Sequence, residues 1–147
     1  MAHLNTDGPV HATAVAVGGR GLLILGAAGR GKSGLALQLI ATGARLISDD
    51  RVLITPEGRA LVLSAPAAIA GRIEARGIGI LGAPCEPAPL HTIVDLDRAP
   101  DARWMQNETM TAAGHEFPLI RGRDVPNLCA ALLLLLEHGR ADDNTSS

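Results

Sequence analysis

The sharpest chemical signal in this chain is the run Gly26, Ala27, Ala28, Gly29, Arg30, Gly31, Lys32 and Ser33, which fits G-x-x-x-x-G-K-[ST] in full with an additional glycine at position 29. Glycines in such a run let successive backbone N–H groups turn inward around a phosphate. A helix that opens directly behind it adds the positive end of its dipole to the same anion. Lys32 then reaches β- and γ-phosphates, and the Ser33 hydroxyl is a ligand for Mg²⁺. The bland alternative is an ordinary glycine-rich turn. Against it, Lys32 is the only lysine in the chain and stands where the motif demands lysine, while the other 12 basic residues are arginines. Phosphoryl transfer also needs a carboxylate for the metal or the nucleophile, and Asp49-Asp50 supplies two. Alone, such a pair reads as a solvated turn; beside a phosphate loop the reading reverses. No N-K-x-D segment reads a guanine base, and no aromatic pair is available to clamp adenine. The loop by itself leaves an ATPase, a kinase and a switch open.

These residues need elements to hold them. Val10–Val17 and Leu22–Leu25 are apolar runs separated by Gly18-Gly19-Arg20-Gly21, the pattern of a hairpin. The glycine-rich loop follows the second strand. Leu35, Leu37, Leu39 and Ile40 then predict a helix closed by Gly43. Arg45–Ser48 is the next strand, with Asp49-Asp50 at its C-terminal end, where ligands sit in open α/β sheets. Neighbouring strand residues face opposite ways, so one carboxylate of the pair is expected to face the phosphate. Val52–Thr55 and Ala60–Ser64 predict a hairpin around Pro56-Glu57-Gly58-Arg59. Ala65–Ala70 is a loop or one helical turn, and Gly71–Gly82 holds too many glycines for a helix. Pro84–Pro89 reads as a break, His91–Leu96 as a strand and Asp101–Gly114 as a polar loop. Glu116–Ile120 is a short strand, and Val125–His138 a closing helix with Pro126 in its first turn and Gly139 as its C-cap. A single domain over residues 10–140 is expected, with tails at 1–9 and 141–147.

Composition narrows the function classes. With 47% hydrophobic and 19% charged residues, the chain of 147 residues is globular. Its net charge of −2 gives no general affinity for polyanions or membrane surfaces, so any anion site is local. Only Trp104 and Phe117 are aromatic, which removes the stacking platforms that single-stranded nucleic acid needs. Cys85 and Cys129 stand far apart and the five histidines have no metal-ligand spacing, so neither a disulfide framework nor a zinc site is suggested. Residues 1–9 lack a charged-then-apolar signal pattern, and the apolar stretch Leu128–Leu136 is about half of what a bilayer span requires. A soluble, cytoplasmic protein with neither nucleic acid nor membrane as partner is expected.

Several segments together resemble one family. His11-Ala12-Thr13-Ala14 and Gly19–Ile24 precede the loop; Gly43–Asp50 and Gly71-Arg72-Ile73-Glu74-Ala75-Arg76-Gly77-Ile78-Gly79-Ile80 follow it. This order resembles the catalytic domain of HPr kinase/phosphorylase over roughly residues 10–140, in the short form found in alphaproteobacteria. The resemblance implies an α/β fold with a mixed sheet, related to phosphoenolpyruvate carboxykinase, and assembly as a hexamer. It implies a kinase that uses ATP and Mg²⁺ to phosphorylate a serine of the carrier protein HPr, and that reverses the reaction with inorganic phosphate. By position, Asp50 is the base for the serine hydroxyl, Asp49 a metal contact or a support, Glu74 a metal ligand shared with Ser33, His11 an active-site histidine and Arg103 a catalytic arginine. Phe117–Asp124 resembles the segment linked to dephosphorylation, with Arg121 and Arg123 as the groups that take free phosphate. Gly34, Ile120-Arg121 and Asp124 depart from the family pattern. Two rival functions stand beside this one: a kinase for a small-molecule acceptor, and an ATP-binding regulatory sensor that transfers nothing.

Overall fold

A computed structural model describes residues 2–104 and 107–141. Its frame is a nine-stranded mixed sheet with two helices on one face. The strands are β1 (Ala2–Leu4), β2 (Thr13–Val17), β3 (Arg20–Leu25), β4 (Arg45–Ser48), β5 (Leu53–Glu57) and β6 (Ala60–Ser64), then β9 (Ala88–Asp95), β10 (Thr109–Ala112) and β11 (His115–Arg121). A separate two-stranded ribbon is made by β7 (Arg72–Ala75) and β8 (Gly79–Gly82). The helices are α1 (Lys32–Ala41) and α2 (Leu128–His138). The main path runs β1-β10-β11-β9-β3-β2-β4, with β6 joining β9 from the side and β5 pairing β6.

Strand direction decides where the chemistry gathers. β3 and β9 are parallel, while β2 is antiparallel to both β3 and β4, so β3, β4 and β9 run the same way. Their C-terminal ends therefore share one edge of the sheet, and β2 begins at that same edge. The glycine-rich loop, Asp49-Asp50, the segment after Asp95 and the residues from His11 to Thr13 are brought together by this alternation alone.

The sheet is apolar on both faces because each strand alternates into one of two cores. Val15, Leu22, Ile24, Leu46 and Val94 pack against Leu35, Ala36 and Leu39 of α1 and against Leu132 and Leu136 of α2. Ala14, Leu23, Ile47 and Ile93 face the other way, onto Val52, Leu61, Leu63 and Leu119. The central strands touch closely at Gly21, where a Cβ would stand 2.6 Å from the Pro89 carbonyl oxygen. No side chain fits there.

The elements expected from sequence are present for the N-terminal half, including the hairpin of β5 and β6 and the single helical turn at Ala67–Ile69. Three expectations are corrected, and one stretch read only as non-helical gains its form. Residues 2–4 are not tail but a strand, parallel to β10. The glycine-rich stretch 71–82 is a hairpin, its turn made possible by Gly77 at φ 85°. The polar loop 101–114 contains β10, whose pairing with β11 spans Thr109 to Ala112. Finally, α2 begins at Leu128 behind Asn127, which holds φ 57°, so Pro126 lies in the preceding turn. Gly139 does close that helix, donating its N–H to the Leu135 carbonyl. Of the expected C-terminal tail, residues 142–147 lie outside the described residues. Among the described residues, no helix is long and apolar enough to cross a membrane.

Candidate active site

At the shared sheet edge the structure opens into a cleft of about 620 Å³. One wall is the glycine-rich loop and the start of α1, contributing Ala28, Gly29, Gly31, Lys32 and Ser33. Gly31 caps α1 with φ 94°, a left-handed conformation open to glycine, and no side chain caps the helix. The first-turn N–H groups of α1 have no intrahelical partner, and the residues that carry them, Lys32, Ser33 and Gly34, line the cleft. Lys32 is buried in the loop, its Nζ donating to the carbonyl of Gly26 at 2.6 Å and of Ala27 at 3.3 Å.

The adjacent carboxylates lie just past β4 and both border the cleft, but they point differently. Asp49 points inward and is 9% exposed. It accepts the Ser33 hydroxyl at 2.7 Å, the Thr13 hydroxyl at 2.9 Å and the Glu74 N–H at 3.0 Å. Asp50 turns outward: its φ of 72° is a left-handed conformation that Asp tolerates. Its carboxylate is exposed and meets His11 Nε2 at 2.8 Å. Thus Asp49 is tied to the loop serine, and Asp50 is an outward carboxylate oriented by a histidine.

The opposite wall is β7. Ile73 and Ala75 are buried, so the alternate residues Arg72 and Glu74, followed by Arg76, present a charged row. All three line the cleft. The donor set here is hard oxygen: the Ser33 hydroxyl, the Asp49 carboxylate and the Glu74 carboxylate. Among the described residues no three His, Cys, Asp or Glu side chains form a cage. Oxygen donors few in number fit Mg²⁺, which keeps several sites for water and phosphate oxygens. The cleft therefore fits a phosphate chain with its magnesium.

The sequence-derived residues are not all assembled here. His11, Lys32, Ser33, Asp49, Asp50 and Glu74 converge. Arg30 turns its guanidinium away from the cleft to Asp97, with Nε 3.1 Å from Oδ1. Arg103 does not line the cleft; it stacks 5.9 Å from the Trp104 ring centre beside a second cavity of about 610 Å³. Arg121 lines that second cavity too, and its guanidinium is engaged. Its Nε donates to Glu108 at 2.8 Å, while Arg98 takes the other Glu108 oxygen at 2.8 Å. Arg123 donates to the Asp97 backbone carbonyl at 3.2 Å. Of Arg121 and Arg123, expected to take free phosphate, neither lines the cleft, and Arg121 is paired with Glu108. Residues that sequence reasoning passed over are Thr13, Arg72, Arg76 and Asp97. Asp97 follows the C-terminal end of a strand and could have been found by that rule.

The Arg98–Glu108–Arg121 cluster has a measurable signature. The hydrogen bond from Arg121, with help from Arg98, holds the Glu108 carboxyl below its ordinary range against the opposing pull of desolvation. A carboxyl depressed in the folded state binds its proton more weakly there than in the unfolded chain, so its stabilisation is present above the unfolded pKa and lost as pH falls. The melting temperature of Glu108→Gln is expected to fall less steeply than the parent's as pH drops from about 5 to about 3. Parallel melting curves across that window would remove the cluster from the stability balance.

Known proteins resemble this chain. The family model described as the HPr Serine kinase C-terminal domain matches residues 2–84, more than half of the chain, and spans the loop, the acidic pair and the β7–β8 hairpin. An HPr kinase/phosphorylase of Clostridium botulinum (strain Eklund 17B / Type B) is 47% identical over 72 residues, which is 49% of this chain and 24% of that protein. One from an Exiguobacterium species is 36% identical over 125 residues, 76% of this chain and 40% of that protein. These matches span about a quarter to two-fifths of the relatives' own length. The solved HPr(Ser) kinase/phosphatase from Coxiella burnetii superposes with a TM-score of 0.80 at 27% identity, covering 94% of this chain and 99% of that one. A family match over the very segments that build the cleft, together with a shared fold from end to end, settles the membership: the chain belongs to the HPr serine kinase C-terminal domain family.

Proposed function

We propose that this protein is an ATP- and Mg²⁺-dependent kinase that phosphorylates a serine of HPr, and that it also runs the reverse reaction with inorganic phosphate. One observation carries the reading: a buried loop lysine, a serine–carboxylate pair and an outward carboxylate–histidine pair meet in a single cleft. A nucleotide sensor needs only the first.

In this reading the N–H groups of α1 and the Lys32 ammonium hold the β- and γ-phosphates. Ser33, Asp49 and Glu74 are the residues that would hold Mg²⁺, whose charge would offset that developing on the phosphate oxygens. Asp50, oriented by His11, takes the proton of the serine hydroxyl as its oxygen bonds to the γ-phosphorus and the bond to the β-phosphate breaks. In reverse, the protonated Asp50 returns its proton to the serine oxygen while phosphate attacks the phosphoserine phosphorus and leaves as pyrophosphate. Free phosphate has no nucleoside to anchor it, and Arg72 on β7 and Arg76 just after it are the arginines that line the cleft to receive it. The reading carries with it a cytoplasmic setting and self-association as a hexamer, as the family resemblance implies.

The test is incubation of the full chain with labelled ATP and purified HPr, followed by location of the label. Phosphoserine on HPr is expected. ATP binding without any transfer would convert the protein into a nucleotide sensor, and transfer to a small metabolite instead would make it a small-molecule kinase.

A further inference from the structure

The Gly26–Ala27 peptide unit is held from both ends by opposite charges. Its carbonyl accepts the Lys32 ammonium at 2.6 Å. Its N–H, carried by Ala27, points out of the cleft to the Asp97 carboxylate, at 3.1 Å to Oδ1 and 3.0 Å to Oδ2. A peptide dipole lying between an ammonium and a carboxylate is oriented by both, and such charge-assisted hydrogen bonds are the strong ones. We propose that Asp97 is the positioning residue of the glycine-rich loop: its carboxylate holds this peptide so that the carbonyl faces Lys32 and the loop is preset for a polyphosphate.

Asp97 is itself braced on three sides. Arg30 lies 3.1 Å from Oδ1 and neutralises the carboxylate. The Asp97 N–H donates to Asp95 Oδ1 at 2.9 Å. Arg123 donates to the Asp97 carbonyl at 3.2 Å, which ties the segment after β11 to the loop from behind. Asp97 does not line the cleft, so it acts on substrate only through the loop. The same geometry gives Arg30, inside the motif, the task of bracing the loop rather than touching phosphate.

This inference rests on the proposal that the cleft binds ATP, and the experiment separates the two. Lys32 is the only lysine, so ¹⁵N-lysine labelling gives one side-chain signal that reports its surroundings without any nucleotide. In Asp97→Ala that signal is expected to move, and the ATP dissociation constant measured by calorimetry to rise by about 10- to 100-fold, the range for loss of a charge-assisted hydrogen bond. At saturating ATP the turnover stays within about threefold, since the reacting groups are untouched. Asp97→Asn keeps one acceptor oxygen for the Ala27 N–H and recovers most of the affinity. Arg30→Ala weakens binding less than Asp97→Ala, and these two milder variants decide the matter if Asp97→Ala does not fold. An unmoved Lys32 signal, or an ATP affinity within about twofold of the parent, would overturn the assignment. So would a loss of turnover with affinity intact. A parent protein that binds no ATP would sink the kinase reading and leave the Lys32 signal to decide the role of Asp97.

Discussion

Lys32→Ala abolishes ATP binding and all phosphoryl transfer while leaving a folded domain with a melting temperature within a few degrees of the parent's. The lysine side chain crosses the loop and ends against two carbonyl oxygens, so it is ready to exchange them for phosphate oxygens. Removing it deletes the positive charge that the loop presents to the cleft, Arg30 being turned to Asp97. The expected loss is at least two orders of magnitude in affinity, from charge-assisted contacts to two phosphates made in a desolvated setting. The cost to folding is small, because Gly26 is half-buried and Ala27 exposed, so their vacated carbonyls take water, replacing a hydrogen bond worth about 1 kcal/mol net. Lys32→Arg fares little better: its planar fork is bulkier and does not reproduce a compact point charge. Unchanged ATP affinity of Lys32→Ala in a calorimeter would end the assignment of the loop.

Asp50→Asn separates binding from chemistry. The exposed carboxylate contributes nothing to packing, and the amide keeps one oxygen for His11, so ATP affinity is expected to stay within a few-fold. Transfer to the serine falls by about 10²- to 10⁴-fold, the range for a positioned general base. Asp49→Asn has a different profile. Asp49 accepts from two hydroxyls and a backbone N–H, and an amide nitrogen turned toward any of these leaves a buried donor facing a donor. That variant should lose stability and Mg²⁺ affinity together. If Asp49→Asn instead keeps its melting temperature and its ATP affinity yet loses transfer, while Asp50→Asn remains active, then the roles of the two carboxylates are exchanged.

Much of this site is legible in the amino-acid sequence, and the reason is locality. The loop motif, its strand before and its helix behind are written in consecutive residues, and Asp49-Asp50 ends the next strand. What escapes such reading is set by pairing between distant segments. The strand at residues 2–4 exists because Met110 and its neighbours lie alongside it, and three residues give no periodicity to read. Thr109–Ala112 has one large apolar residue, so β10 looks like loop until its partner β11 is known. Arg121 reads as free because Glu108, its partner, sits beside that same inconspicuous strand. Asp97 escapes for the opposite reason to Lys32: its role depends on two parallel strands that are separated by the whole middle of the chain.

That separation has a consequence for how the protein is born. Strand β9 pairs with β3, β11 and β6, and it starts at Ala88, past the end of the family match at residue 84. During synthesis the loop-bearing strand Arg20–Leu25 therefore waits until the chain from Ala88 onward emerges before its second neighbour exists. Until then it presents an open, leucine-rich edge, the kind of surface on which nascent chains pair wrongly or recruit chaperones. Long-range parallel pairing of this sort also closes slowly, because the loop entropy is lost before the contacts form. The glycine-rich loop therefore gains its neighbouring strand only once β9 docks. A fragment ending at residue 84 carries every residue of the motif and lacks the strand that makes them a site.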